Sequence, residues 1–381
     1  MDPLVKLTRL SGIAALGAVA ALTLAGCAAN EPSSNDAPAN NDSNTESQAP
    51  AAGGSTGTIG ATGSSAQAAA QAALVASFQM ANPEASVNYE STGSGVGLTN
   101  FAEGASDFVG SDAAYTMDDL AAGFKGCATD SIVEIPTYIS PVALAFNLPG
   151  IDSLNLDAET IANIFAGNIT SWNDDAIAAL NEGVELPELD ITPVNRAEES
   201  GTTETFAKYL SATAPDVWTY EPSKEWPITG TESANGTQGV AQVLADAEGA
   251  IAYIDASQVP AGAGSVAVGL ADGSFVPFSA DAAAKLVSSA TAEEGREAQD
   301  VVYDVDPAAA SDGAYPIALV SYLIGCVDYG DAEKAQLVKD YFSFVASEEG
   351  QQISADEAGS APISDELRTK IAAAIDTIVV D

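Results

Sequence analysis

An α/β fold is predicted by three features of this 381-residue chain. From about Thr58 onward, strand-like runs alternate with segments whose apolar residues recur at helical spacing. Two long extended runs, Ile132 to Asn147 and Tyr315 to Gly325, lie far apart in sequence and are candidates for paired crossovers between lobes. Three helix starts carry the same Gly, Ser and Thr chemistry, at Gly63-Ser64-Ser65-Ala66, Gly93-Ser94-Gly95 and Ser200-Gly201-Thr202. The length suffices for two domains with proper cores.

The chain begins like an export signal. Lys6 and Arg9 precede an apolar run from Leu10 to Leu24, which is too short and too rich in Ala and Gly for a spanning helix. It ends in Leu24-Ala25-Gly26-Cys27, a box that resembles a bacterial lipoprotein site with Cys27 as the lipidated first residue; a cleaved secretory signal is the alternative. Residues 1–26 are therefore read as signal peptide. From Ala28 to Thr58 there is no Leu, Ile, Val, Phe or Lys. Such a segment cannot bury enough apolar area to order itself, so 27–57 reads as a flexible tether.

In the folded part, Val87 to Ser91 reads as a strand, followed by a Gly-Ser turn and a helix with Leu98, Phe101 and Ala102 on one face. Ile161, Ile164 and Phe165 form a similar stripe, as do Phe206, Tyr209 and Leu210, and Val240, Val243 and Leu244. These stripes are core. Pro136 and Pro141 are expected to interrupt the extended run they lie in, because proline cannot donate to a ladder. Asp331 to Val345 and Asp365 to Val379 read as helices. Cys127 and Cys326 are an even pair outside the membrane, either a disulfide or two buried thiols.

With 12 Lys+Arg against 54 Asp+Glu, the formal net charge of −42 argues against nucleic acid or an anionic membrane surface as partner. It does not forbid a buried anion site. Exposed charges are screened over about 8 Å at physiological ionic strength, whereas donors at hydrogen-bond distance in a closed cleft are hardly screened. Asn195-Arg196-Ala197-Glu198-Glu199-Ser200-Gly201-Thr202 sets one of three arginines after Cys27 directly before a helix start. Unpaired N–H groups at a helix start, hydroxyls and a guanidinium together can cage an anion. Each helix start taken alone is usually just a cap.

Asp107 to Asp112 is an apolar-flanked turn that ends in a carboxylate. Facing an anion, Asp112 would repel it unless the ligand donates a proton, so an acceptor there selects a protonated oxyanion. Alternatively Asp112 caps the next helix near Met117 or forms an Asx turn.

Together these segments resemble the substrate-binding lipoproteins of bacterial ABC phosphate importers. The resemblance also includes Ile161 to Asp174, with Trp172, then Gly239-Val240-Ala241-Gln242 and Gly249-Ala250-Ile251-Ala252-Tyr253, in order and spacing from about Thr58 to the C-terminus. It implies a two-lobed periplasmic-binding-protein fold (type II-like), with a ligand cleft between lobes joined by two crossover strands. Lobe I would be 58–140 and 317–381, and lobe II 141–316. By position, Ser94 and Asp112 would bind phosphate from the first lobe, and Arg196, Ser200, Gly201 and Thr202 from the second. Ser64, Ser65 and Ala66 align with the family's first-lobe phosphate turn. Glu198 falls where an Asp usually holds the arginine; being one methylene longer, it implies a looser pairing. Glu199 replaces a common Gly, and Ala66 stands where a Thr hydroxyl is frequent. The implied partners are inorganic phosphate, the permease subunits of an ABC importer and, through Cys27, the outer face of the cell membrane.

The competing readings are another tetrahedral oxyanion such as sulfate, a surface adhesin retaining the fold, or an exported enzyme. The chain contains no His, so a Ser-His-Asp triad or a His-ligated metal is impossible. Its one G-x-S-x-G match, Gly53 to Gly57, lies in or beside the tether, without the strand-turn-helix context of a nucleophile elbow. No enzyme activity, metal or cofactor is expected.

Overall fold

The structure is a computed structural model that describes residues 54–380. The expected signal segment, Cys27 and the tether up to residue 53 lie outside the described residues. In chain order, the first elements are β1 (Gly57–Gly63), α1 (Ala68–Ala81), β2 (Ala85–Ser91), α2 (Ser94–Ala102), β3 (Phe108–Ser111), α3 (Met117–Ala122) and β4 (Ile132–Phe146). Then come β5 (Ser153–Leu156), α4 (Ala158–Phe165), α5 (Asp175–Leu180), β6 (Thr192–Arg196), α6 (Gly201–Thr213), β7 (Glu232–Ala234), α7 (Gly236–Asp246) and β8 (Ala250–Asp255). They are followed by β9 (Gly264–Gly269), β10 (Phe275–Val276), α8 (Ala280–Ser288), β11 (Thr291–Ala292), β12 (Tyr303–Asp304) and β13 (Ala318–Cys326). Three helices close the chain: α9 (Ala332–Ala346), α10 (Glu348–Ala358) and α11 (Asp365–Ile375).

One long mixed sheet runs in the order β2-β1-β3-β13-β4-β8-β6-β7, and β9, beside the far end of β4, carries β5 and β10. β1 pairs in parallel with β2 and β3, as β6 does with β7 and β8, so each lobe has its own parallel core. The two extended runs pair antiparallel with each other, Cys326 opposite Ile132 through to Ala318 opposite Pro141. Beyond that, Val142 to Phe146 of β4 pair with β8. β4 thus leaves one lobe and enters the other as a single strand buried along its whole length.

At Pro136 and Pro141 the strand itself runs on, but its pairing is irregular at both. The ladder shifts register between Ser321 and Tyr322, opposite Pro136 and Tyr138, and this bulge takes up the first proline. Gln351 of α10 donates to the bulge carbonyl of Thr137 at 2.9 Å, so the irregular backbone is satisfied. Pro141 sits where β4 changes partner from β13 to β8, at the end of one ladder. Helix α10 was not expected between the two C-terminal helices, because its sequence Glu-Glu-Gly-Gln-Gln-Ile-Ser-Ala-Asp-Glu-Ala carries almost no apolar stripe. It is fixed instead by the Ser347 cap, by Gly359 in the left-handed conformation at its end, and by its contact with α1.

The core is apolar on both sides of the crossover. Phe78 and Phe108 pack on Tyr341 in the first lobe, at centroid distances of 5.3 and 5.6 Å. In the second lobe, Phe165, Phe206, Trp226 and Tyr253 form an aromatic cluster, with Phe206 stacked on Tyr253 at 4.7 Å and 25°. Cys127 and Cys326 are joined in a disulfide, with Cα atoms 5.4 Å apart, which ties the end of β13 to the loop after α3. The segment between α8 and β13 straps back onto the first part of β4. Glu134 N donates to Gln299 O and Val301 N to Glu134 O, and Arg296 joins Glu134, Asp300 and Glu293.

Beside the crossover, Tyr138 of β4 donates to Asp255 Oδ1 at 3.0 Å, and Ser257 adds its N–H and hydroxyl. Burial nevertheless pushes the Asp255 carboxyl up from 3.8 to about 6. A carboxyl raised on folding adds stability below its unfolded value and loses it as pH rises through its folded one. Between pH 4 and 7 this group is therefore expected to cost about 3 kcal/mol. Chemical denaturation should show Asp255→Asn gaining on the parent by about 2–3 kcal/mol over that range, whereas parallel pH profiles would contradict the shift.

Candidate anion-binding site

The predicted residues lie at the carboxyl ends of the parallel strands of both lobes, where open α/β sheets place ligands. Ser64, Ser65 and Ala66 follow β1, Ser94 follows β2, Asp112 follows β3, Arg196 ends β6, and Ser200, Gly201 and Thr202 open α6. All are buried, including Asp112 at 7% and Arg196 at 4% exposure.

The first-lobe turns use their hydroxyls differently. Ser64 Oγ accepts from Ala66 N at 3.1 Å, a local bond that shapes the turn and occupies the Ala66 N–H. Ser65 reaches across: its Oγ accepts from Arg196 Nη2 at 2.9 Å and from Thr237 N at 3.0 Å, and lies 2.9 Å from Thr237 Oγ1. Ser94 makes no cap bond for α2; its Oγ accepts from Asp112 N at 3.1 Å, leaving its own proton available to a further acceptor. Asp112 does not cap the next helix either. α3 is capped by Thr116 and Asp119 in a reciprocal capping box. Asp112 instead accepts from Ser321 at Oδ1 (2.6 Å) and from Thr202 at Oδ2 (3.0 Å).

In the second lobe, β6 delivers Arg196 with its backbone N–H on the Tyr253 hydroxyl (3.1 Å), which also meets Thr203 Oγ1 at 2.7 Å. The Phe206 stack holds that phenol in place, and burial raises it to about 12, so it stays neutral. The looser pairing expected of Glu198 is not found. The longer side chain contacts Arg196 Nη2 directly and accepts from Gly236 N at 3.0 Å. Arg196 Nε is buried with no partner among the described residues, an orphan donor that an anion would satisfy. Ser200 serves as the cap of α6, accepting from Thr203 N at 3.3 Å. Gly201 lies flat against Asp112: a Cβ there would come within 2.5 Å of the Asp112 Cβ. Exposed Glu199 lies over Gly95, and its backbone carbonyl accepts from Gly95 N at 3.3 Å, a main-chain bond across the rim.

Five further residues surround the candidate site: Thr237 and Gln258, which donate to Ser65, Tyr253 against Arg196, and Ser321 with Gln67 behind Asp112. Thr237 had a legible signal, because Asn235-Gly236-Thr237 repeats the small-residue helix start of the other turns. Ser321 had none, being one serine inside an apolar strand. The arginines divide by their surroundings. Arg296 gives Nε to Glu293, Nη1 to Glu134 and Asp300, and Nη2 to Tyr115 O, so three carboxylates consume its charge. It borders a cavity of about 310 Å³ beside Asp112, where Lys208 is likewise paired with Asp304. Arg196 faces one carboxylate and retains a free donor.

The sequence matches the PBP superfamily domain over residues 46–349. This chain belongs to the PBP superfamily. Within it, the chain is 35% identical over 318 residues to phosphate-binding protein PstS 3 of Mycobacterium leprae, covering 82% of this chain and 85% of that one. It is 31% identical to phosphate-binding protein PstS 2 of Mycobacterium tuberculosis, over 78% and 80% of the two chains. Among solved structures, a phosphate-binding protein from Stenotrophomonas maltophilia superposes with a TM-score of 0.65 at 19% identity, over 84% of this chain and 94% of that one. A putative phosphate ABC transporter substrate-binding protein with bound phosphate from Clostridium perfringens gives 0.58 at 18%, over 81% and 100%. The PBP superfamily fold, two lobes on a crossed sheet, accounts for why residues so distant in sequence meet here.

Because Gly201 and Asp112 touch across the cleft, Gly201→Ala is expected to destabilise the closed form by about 1–3 kcal/mol. Small-angle scattering should register a larger radius of gyration, while Gly60→Ala, which has open space at its Cβ, leaves the profile unchanged.

Proposed function

We propose that this protein binds inorganic phosphate between its lobes outside the cytoplasm and delivers it to an ABC importer. The observation that carries the reading is the pair of buried cross-lobe contacts, Thr202 on Asp112 and Arg196 on Ser65, around one cluster of hydroxyls, amides and a partly unsatisfied guanidinium. A tetrahedral anion there would gain charge-assisted bonds from Arg196 and from hydroxyls of both lobes. Asp112 supplies the discrimination: a carboxylate already receiving two hydroxyl donors accepts a proton from a protonated oxyanion and repels sulfate.

A ligand that joins donors from both lobes binds the closed state more tightly than the open one, and the permease reads that closure. Lobe I is assigned to 58–140 and 317–381, and lobe II to 141–316. Within 141–316 the strap around 293–303 is the exception: it is bonded to Ser131 and Glu134 and is assigned to lobe I. The phosphate contacts are assigned to Ser65, Ser94, Arg196, Thr202 and Asp112, with Ser64, Ala66, Ser200 and Gly201 shaping the turns and Glu198 orienting the arginine. Cys27 carries the lipid that tethers the chain to the outer face of the membrane, and the role is binding, without catalysis.

Isothermal titration of the purified protein with phosphate and then sulfate tests the reading; equal affinity for the two anions, or none for phosphate, defeats it. Arg196→Ala is expected to weaken phosphate binding by about 3 kcal/mol, more than a hundredfold in Kd. Asp112→Asn, which keeps the shape but can donate, should lose phosphate affinity and narrow the gap to sulfate. Unchanged titrations of either variant would remove that residue from the site.

A further inference from the structure

Behind Asp112 a row of buried polar side chains leads away from the cleft into the core of the first lobe. Tyr341 of α9 donates to Gln71 Oε1 at 2.6 Å, and Gln71 Nε2 donates to Gln67 Oε1 at 2.8 Å. Gln67 Nε2 donates to Ser321 Oγ at 2.5 Å, and Ser321 donates to Asp112 Oδ1 at 2.6 Å. Gln67, Gln71, Ser321 and Tyr341 are each at most 2% exposed. We propose that Gln67 and Ser321, backed by Gln71 and Tyr341, are specificity-determining positioning residues: a one-way hydrogen-bond relay that holds Asp112 as a pure acceptor toward the bound anion. The proposal rests on the reading of Asp112 as the group that receives the proton of bound phosphate.

The direction of the row follows from chemistry at fixed points. Gln67 Nε2 also lies 3.2 Å from the Tyr322 carbonyl, which can only accept, so the amide of Gln67 must face that way. Its Oε1 then faces Gln71, which must donate with its own NH2 and so turns its Oε1 to Tyr341. Burial holds the Tyr341 phenol well above its usual range, so it keeps the proton it donates. Ser321 has a single proton; having accepted from Gln67, it spends that proton on Asp112.

Ser321 points a hydrogen at Oδ1 and Thr202 at Oδ2, so a donor engages each carboxylate oxygen and each keeps a second lone pair. Those remaining lone pairs can accept from a ligand that donates. Each link also polarises the next in a dry environment. The backbone makes room for this row: a Cβ on Gly110 would come within 3.0 Å of Gln67 Oε1 and closer still to the Tyr89 hydroxyl, which donates to Ser64 O. The same glycine therefore protects both the relay and the first-lobe turn.

The test compares the full-length parent with Ser321→Ala and Gln67→Met, titrated with phosphate, arsenate and sulfate. Arsenate matches phosphate in protonation, and sulfate lacks the proton. Loss of the relay is expected to reduce phosphate and arsenate affinity together by about tenfold while sulfate holds or gains, so the phosphate-to-sulfate ratio falls and the phosphate-to-arsenate ratio does not. Gln67→Met should move the same ratio in the same direction by less, and it carries the test should Ser321→Ala not fold. An equal drop for all three anions means general loosening of the cleft and overturns the relay, as do unchanged ratios in both variants. A parent that binds phosphate, with Asp112→Asn losing discrimination and Ser321→Ala keeping it, overturns the relay alone. A parent with no phosphate affinity overturns the underlying reading and the relay with it.

Discussion

The pairing of β4 with β13 is the constraint on which the molecule depends. These two strands, about 190 residues apart in the chain by the register of Cys326 on Ile132, form the ladder that, among the described residues, joins the neighbours of both parallel cores. Their burial over the full length makes them stiff in the middle, and their irregularities fall at two places, the bulge beside Pro136 and the partner change at Pro141. The bulge lies beside the candidate site, because Ser321 behind Asp112 is at it, and there Tyr138, paired opposite Ser321, also holds Asp255. The scaffold and the site are therefore mechanically continuous.

A second layer of design lies in how polar groups are shared between the lobes. Ser65, Asp112 and Gly95 on one side meet Arg196, Thr202 and Glu199 on the other through bonds of 2.9 to 3.3 Å. Water-exposed pairs of this kind contribute little, but buried ones are costly to leave unmet. Glycines at 95 and 201 let the surfaces approach closely enough for that sharing. Side chains there would hold the lobes apart.

Much of this was legible in the sequence, for identifiable reasons. Apolar stripes such as Phe206, Tyr209 and Leu210 are local signals, and the structure buries all three. The turn residues were legible because three helix starts repeat the same Gly, Ser and Thr chemistry and one follows an arginine, although each alone reads as a cap and only Ser200 serves as one. The prolines marked where pairing turns irregular, but not that the strand continues, because a bulge and a change of partner are tertiary events. Helix α10 escaped because nearly all of its stabilisation comes from caps and neighbours, and Gln67 and Ser321 because a side-chain relay leaves no periodicity to read.

The surface has a different logic. A chain with a net charge of −42 should repel any small anion at long range, yet its candidate recognition groups are enclosed and act at contact distance, with Arg196 beside Glu198 and Arg296 saturated by acids. Ambient salt reaches the exterior charges far more readily than the interior ones. A receptor arranged in this way can take on whatever outer coat its brine, soil or host favours, and still recognise the same cargo.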